Sequence, residues 1–277
     1  MTKKRPKRRL AIVGCGAIGS LVARLLEKKK SSFVVTAVFD TFISSSQTLS
    51  KSLKSRPKVC GELSQIFSHC DMVLEAASVQ AAVQVAEASL RKGKPLVMMS
   101  TGGFLLNRKR LTDLAERTRT KIYLPSGALG GLDALKAARQ MGGLKSAQIT
   151  STKPPRGFAG APGLTKAQKQ KLYKSKTSFY LYQGNVAGAV KRFPANVNVA
   201  ATTALASGAP GKLKVRVMAD PQIKFNQHEI RASGDFGELS SITRNRPSRQ
   251  NPKTSALAIL SALALLERLE SYIEVGN

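Results

Sequence analysis

A chain of 277 residues with 42% apolar composition is long enough for one large or two modest cores, which excludes disorder as its main state. Its three cysteines, Cys15, Cys60 and Cys70, form no CxxC pair, so neither a disulfide framework nor a zinc ribbon is indicated, and a reducing cytoplasm is expected. The formal charge of +29, from 45 basic and 16 acidic residues, is scattered along the chain with only 5% aromatics; the basic clusters read as solvated faces, and nucleic acid is not expected as a partner.

After "MTKKRPKRRL" the apolar run lasts only about five residues, shorter than the ~7–15 of a signal peptide. The stretch "RLAIVGCGAIGSLVARLL" then reads as a strand, a glycine-rich turn and a helix. The strand-like runs "FVVTAVFD", "DMVLEAA", "PLVMMS" and "KIYLP" follow, each separated from the next by a helical stretch. Continuous apolar strands alternating with helices predict a doubly wound parallel α/β sheet over residues 1–125.

From Ser126 the pattern changes. "SGALGGLDALKAARQMGG" predicts a loop leading into a helix, and "KSAQITSTKPP" a strand that ends at a proline pair. "FPANVNVAATTALAS" predicts a helix, and the alternating runs "KLKVRVMADP", "FNQHEIRASG" and "GELSSITRN" predict antiparallel strands of a second, α+β domain over residues 126–251. The last run, "PKTSALAILSALALLERLESY", is apolar over most of its faces, so a helix within 252–277 is expected to be buried, packing back on the first domain. It meets Glu267 and Arg268 after about 13 positions, short of the ~18 of a membrane span, and no membrane is expected.

Gly14, Gly16 and Gly19 spell G-x-G-x-x-G between a strand and a helix. The first glycine permits a tight turn, the second lets backbone approach a pyrophosphate, and the third lets helix and strand pack closely. With Ala17 and Ile18 at the start of the helix, free N–H groups and the positive end of the helix dipole face the phosphates, which predicts a dinucleotide site of Rossmann type. Asp40 ends the second strand, 21 residues after Gly19, where a carboxylate accepts hydrogen bonds from ribose hydroxyls and repels a 2′-phosphate. NAD is therefore preferred, with NADP possible.

His228 is one of two histidines and sits on an alternating strand; a structural histidine and a proton acceptor for an oxidation are both open readings. His69 reads as structural, and without a His/Cys/Asp cluster no metal is expected. Asn196 and Asn198, two apart on a helix, should not face one ligand. Asn251, Lys253, Thr254 and Ser255 gather at a helix start, either as a carboxylate or phosphate pocket or as a cap.

Taken together, "IVGCGAIG", "SGALGGLDAL", "KPPRGF", "FPANVNVAATTALA", "ADP" followed by "NQHEI", "GDFGEL" and "NPKTS" resemble the L-aspartate dehydrogenase family over nearly the whole chain. The resemblance implies NAD(P)-dependent oxidation of L-aspartate to iminoaspartate, which hydrolyses to oxaloacetate and ammonia or feeds quinolinate synthesis for NAD. It places the active-site histidine at His228 and nicotinamide-side contacts at Ala128 and Asn198, and it implies a homodimer. Under this reading Asn251, Lys253, Thr254 and Ser255 bind the substrate carboxylates. Where the family commonly carries acidic residues before "NPKTS", this chain has Arg249 and Gln250. The competing expectations are a homoserine- or aldehyde-type dehydrogenase sharing the first domain, and a nonenzymatic NAD-sensing or nucleic-acid-binding protein.

Overall fold

The computed structural model describes residues 6–29, 31–140, 144–194, 198–246, 248 and 255–276. The chain divides into two compact units, Met1–Pro125 with Ile259–Glu274, and Ser126–Ala258 with Val275–Asn277. Among the described residues no helix is long and apolar enough to cross a membrane.

The first unit runs β1 (Arg8–Val13), α1 (Ala17–Lys28), β2 (Phe33–Phe39), α2 (Ile43–Ser52), β3 (Lys58–Val59), β4 (Met72–Glu75), α3 (Val79–Arg91), β5 (Leu96–Met98), α4 (Thr101–Leu106), α5 (Arg108–Thr118) and β6 (Ile122–Tyr123). Its six strands lie in the order β3-β2-β1-β4-β5-β6, all neighbours parallel. This is the strand order of the doubly wound dinucleotide fold, with its switch point between β1 and β4. The strands are apolar on both faces because each face is covered. Leu10, Ile12 and Leu74 face one core with Val22 and Leu26 of α1. Ala11, Val13 and Val73 face the other with Val85, Ala86 and Leu90 of α3.

The second unit contains α6 (Leu132–Ala138), β7 (Leu144–Lys153), a short 3-10 turn at Pro155–Phe158, α7 (Lys166–Lys174), β8 (Phe179–Gly184), α8 (Val186–Arg192), α9 (Asn198–Ala206), β9 (Lys214–Ala219), β10 (Asn226–Gly234) and β11 (Gly237–Asn245). Its sheet has the order β11-β10-β7-β9-β8. The sequence predicts β9, β10 and β11 as antiparallel strands. The β10–β11 hairpin is antiparallel, but β7 inserts between β9 and β10 and pairs parallel with β9. Strand β8, which the basic stretch before it hides, is the antiparallel neighbour of β9.

The last helix, α10 (Ala256–Arg268), contributes Ile259, Ala262, Leu263, Leu265 and Leu266 to the core shared by Leu10, Ile12 and Val35. Leu260 on the same helix is 46% exposed, so the burial is one-sided despite the near-uniform apolar sequence. Burying those five side chains is what returns the helix to the parallel sheet, and Glu270 just beyond it accepts a hydrogen bond from Arg8 of β1 at 3.2 Å.

Candidate active site

In the first unit the glycine turn has the three geometries its spacing demands. Gly14 has φ +93°, and a Cβ there would lie 2.5 Å from the Ala76 carbonyl, so the turn closes only with glycine. A Cβ on Gly19 would collide with the Gly14 carbonyl oxygen, which is the tight approach of α1 to β1. Gly16 differs from both, for nothing lies within 4 Å of where its Cβ would stand. Open space at the second glycine is what a pyrophosphate needs. No side chain caps the start of α1 and no acidic residue occupies its first turn, so the N–H groups around Ala17 and Ile18 present a positive end suited to phosphate. These residues fit a dinucleotide.

Asp40 is half-buried at the end of β2 and already carries two backbone hydrogen bonds. Oδ2 accepts from the Cys15 N–H at 2.7 Å and Oδ1 from the Phe42 N–H at 2.9 Å. The carboxylate thus ties the glycine turn to the turn after β2, with lone pairs remaining for a ribose. Cys15, inside the glycine motif, is buried, and desolvation pushes its thiol up to about 11, which leaves it unreactive at neutral pH.

Sequence reasoning passed over Glu75, the last residue of β4. It is fully buried and accepts from the N–H groups of Ala77 (2.8 Å) and Ser100 (3.0 Å) and from the Ser100 hydroxyl (2.9 Å). Burial outweighs these three bonds and pushes the carboxyl up to about 7. Glu75 therefore clamps the ends of β4 and β5 at the mouth of the parallel sheet.

In the second unit one sheet face gathers the chemistry. Side chains two apart on a strand share a face, so Asn226 and His228 of β10 point the same way, as do Ser151 and Lys153 of β7. The register places His228 opposite Ser151 on one side and Thr243 of β11 on the other. His228 is 3% exposed, and its Nδ1 lies 3.0 Å from the Ser151 hydroxyl. Burial first, and the nearby Lys153 charge second, hold the imidazole down to about 3, so it is neutral at neutral pH. Lys153 is itself buried, which lowers its ammonium to about 8.

The loop carrying Ala128 lies on the same face. A Cβ on Gly131 would lie 2.9 Å from Ser241 Cβ, and one on Gly130 would lie 3.4 Å from the Thr243 side chain. The Ala128 carbonyl accepts from Thr243 Oγ1 at 2.7 Å and from Asn245 Nδ2 at 3.1 Å. That carbonyl is therefore committed, and the contact expected of Ala128 falls to its N–H and methyl group. Asn198 opens α9, half-buried. Asn196, Asn251, Lys253 and Thr254 lie outside the described residues. Ser255 is 6% exposed, and its hydroxyl accepts from the Leu257 N–H at 3.2 Å, the capping arrangement of a helix start.

The residues that sequence reasoning missed in this unit, Ser151, Lys153, Asn226, Thr243 and Asn245, lie in segments the sequence marked as strands. Period-2 alternation around His228 and ahead of the proline pair was the available signal. Only the pairing register shows that these positions converge.

A doubly wound unit with an open glycine turn, joined to a second unit with a buried neutral histidine on a mixed sheet, defines a nicotinamide-dependent oxidoreductase of two domains. The homoserine dehydrogenase NAD-binding domain model matches residues 14–125, and the aspartate dehydrogenase C-terminal model matches residues 133–269. The L-aspartate dehydrogenase of Methanosarcina barkeri is 37% identical over 97% of this chain and 99% of its own. That of Nitrosopumilus maritimus is 37% identical over 98% of this chain and 100% of its own. The crystal structure of aspartate dehydrogenase from Thermotoga maritima superposes with a TM-score of 0.76 at 28% identity, covering 97% of this chain and 99% of that one. The chain belongs to the aspartate dehydrogenase family. A myo-inositol dehydrogenase from Lactobacillus casei, at 14% identity and a TM-score of 0.57, shares the fold.

Proposed function

We propose that this chain is an NAD(P)-dependent L-aspartate dehydrogenase that oxidises L-aspartate to iminoaspartate, which hydrolyses to oxaloacetate and ammonia. The observation that carries the reading is the buried His228–Ser151 pair beside Lys153, on one sheet face of a chain whose family relatives carry that name. When bound, the nicotinamide supplies the hydride acceptor for the substrate Cα–H.

Gly14, Gly16, Gly19 and the first N–H groups of α1 hold the pyrophosphate, Asp40 holds the adenosine ribose and favours NAD, and Ala128 and Asn198 contact the nicotinamide side. His228 is the proton acceptor, acting on the amine or on the water that attacks the imine. For that task Nε2 must carry the lone pair, which places the proton on Nδ1, donated to Ser151 Oγ. Ser151 is thus a positioning residue that selects the tautomer. A dicarboxylate arriving beside Lys153 brings negative charge, which raises the proton affinity of the imidazole above its ligand-free value. Base strength therefore develops with substrate in place. The "NPKTS" segment, with Asn251, Lys253, Thr254 and Ser255, supplies further carboxylate donors; losing one charge-assisted bond in a dry site costs roughly 1.5–3 kcal/mol.

A homodimer in the cytoplasm, feeding NAD synthesis through iminoaspartate, completes the proposal; light scattering after size exclusion tests the assembly. The reaction is tested by steady-state assays with L-aspartate, L-alanine and L-homoserine against NAD+ and NADP+, and in reverse with oxaloacetate and ammonia. Turnover of aspartate well above the other two supports it, and a preference for homoserine would replace it.

A further inference from the structure

Asn226 stands apart from the other polar residues on the sheet face that carries His228. It is 1% exposed, and its Nδ2 has no hydrogen-bond partner among the described residues. A dry, unsatisfied donor is a standing penalty in a native fold, and one explanation is a ligand that supplies the missing acceptor. The surroundings indicate what kind of acceptor. Gln227 lies opposite Thr152, so one position further on Asn226 falls beside Lys153, and on its other side Asn226 pairs with Asn245. The Asn245 amide N–H is spent on the Ala128 carbonyl and Thr243. The position therefore combines an unmet amide donor with a neighbouring buried ammonium, two residues from the imidazole. The positive charge of a buried ammonium next to the open amide donor favours an anionic acceptor over a neutral one at this position.

We propose that Asn226 Nδ2 and Lys153 Nζ form a two-point subsite for one carboxylate of a dicarboxylic substrate, set beside His228 on the same sheet face. The proposal rests on the aspartate reaction and adds specificity-determining residues to it. It assigns to β7 and β10 a carboxylate contact distinct from those expected of the "NPKTS" segment.

The test compares Asn226→Leu and Asn226→Asp with the wild type in the full-length protein. Succinate, an unreactive dicarboxylate, serves as the probe, its affinity measured calorimetrically in the presence of NAD+ alongside aspartate kinetics. Asn226→Leu should raise KM for aspartate and weaken succinate by about tenfold or more, the loss of one good polar contact. It should leave kcat within about threefold and the melting temperature equal or higher, because an orphaned donor is removed. Asn226→Asp, which puts an acceptor and a negative charge in the donor's place, should weaken succinate further.

Unchanged succinate affinity in both variants would overturn the subsite, as would a loss confined to NAD+ affinity, which would assign the donor to the cofactor. A lower melting temperature for Asn226→Leu with succinate affinity intact would make Asn226 a structural residue. Wild-type protein that binds succinate but does not turn over aspartate would refute the reaction while leaving the subsite standing.

Discussion

The first unit contributes to its site mainly by leaving side chains out, and the second by assembling side chains across three strands. At Gly14 and Gly19 a Cβ has no room, and at Gly16 the room is kept empty. In the second unit His228, Ser151 and Lys153 come from strands far apart in sequence and meet only through register. The two units also bury ionisable groups with opposite consequences. Glu75 holds its proton up to about 7, while His228 gives its proton up down to about 3, so near neutral pH burial favours the uncharged form of both. A backbone site is local and tolerates little substitution within a few residues. A side-chain site is spread over the fold and depends on the sheet being paired correctly.

Removing the base should separate the two units most sharply. His228→Ala is expected to lower kcat for aspartate by about 10²–10⁴-fold, with NADH affinity, read from the emission of the reduced nicotinamide itself, unchanged. Loss of both together would mean that the histidine also serves the cofactor.

The next effect is on stability. Because the folded state keeps a proton on Glu75 that the unfolded chain releases above about 4.5, the Glu75 contribution is fully present below that pH and is lost as pH rises through about 7. The span is on the order of 3 kcal/mol. Asn and Gln do not titrate, so Glu75→Gln should flatten this decline, and chemical denaturation of both proteins at several pH values between 4.5 and 7 reads it. His228 acts in the opposite sense, its contribution being present above 6.5 and lost as pH falls toward 3. A stability difference between wild type and Glu75→Gln that stays constant with pH would show that Glu75 is ionised in the fold.

Within the glycine motif the contrast is between packing and access. Gly19→Ala should cost about 1–3 kcal/mol of stability, since its methyl meets the Gly14 carbonyl. Gly16→Ala places its methyl more than 4 Å from any neighbouring atom of the described residues, so its melting temperature should stay at the wild-type value while NADH affinity falls roughly tenfold. Equal stability losses in the two variants would remove the distinction. The smallest expected effect is that of Ser151→Ala, which loses one hydrogen bond worth about 0.5–1.5 kcal/mol and should lower kcat by up to about tenfold with little change in KM.

The difference between the units also explains how much was legible in the sequence. The parallel sheet, its alternation with helices and the steric demand for glycine at positions 14 and 19 follow from local patterns, and the structure has all of them. The return of α10 to the first core was legible from its apolar surface, though not the exposure of Leu260. In the second unit the strands β7, β10 and β11 were legible, but their order was not, because the insertion of β7 between β9 and β10 depends on contacts distant in the chain. His228 stood out as a rare residue type on an alternating strand. Lys153 and Asn226 did not, since lysines are abundant here and one asparagine in a strand carries no signal until its neighbours are known. Glu75 was concealed for a similar reason, its three donors coming from turns after two different strands.

The most direct test is a steady-state comparison of wild type and His228→Ala with L-aspartate and NAD+, following nicotinamide reduction over a range of pH. The account predicts turnover of aspartate by the wild type and a fall of at least about a hundredfold in kcat for the variant at every pH, with NADH still bound. A variant that keeps near-wild-type kcat would contradict it.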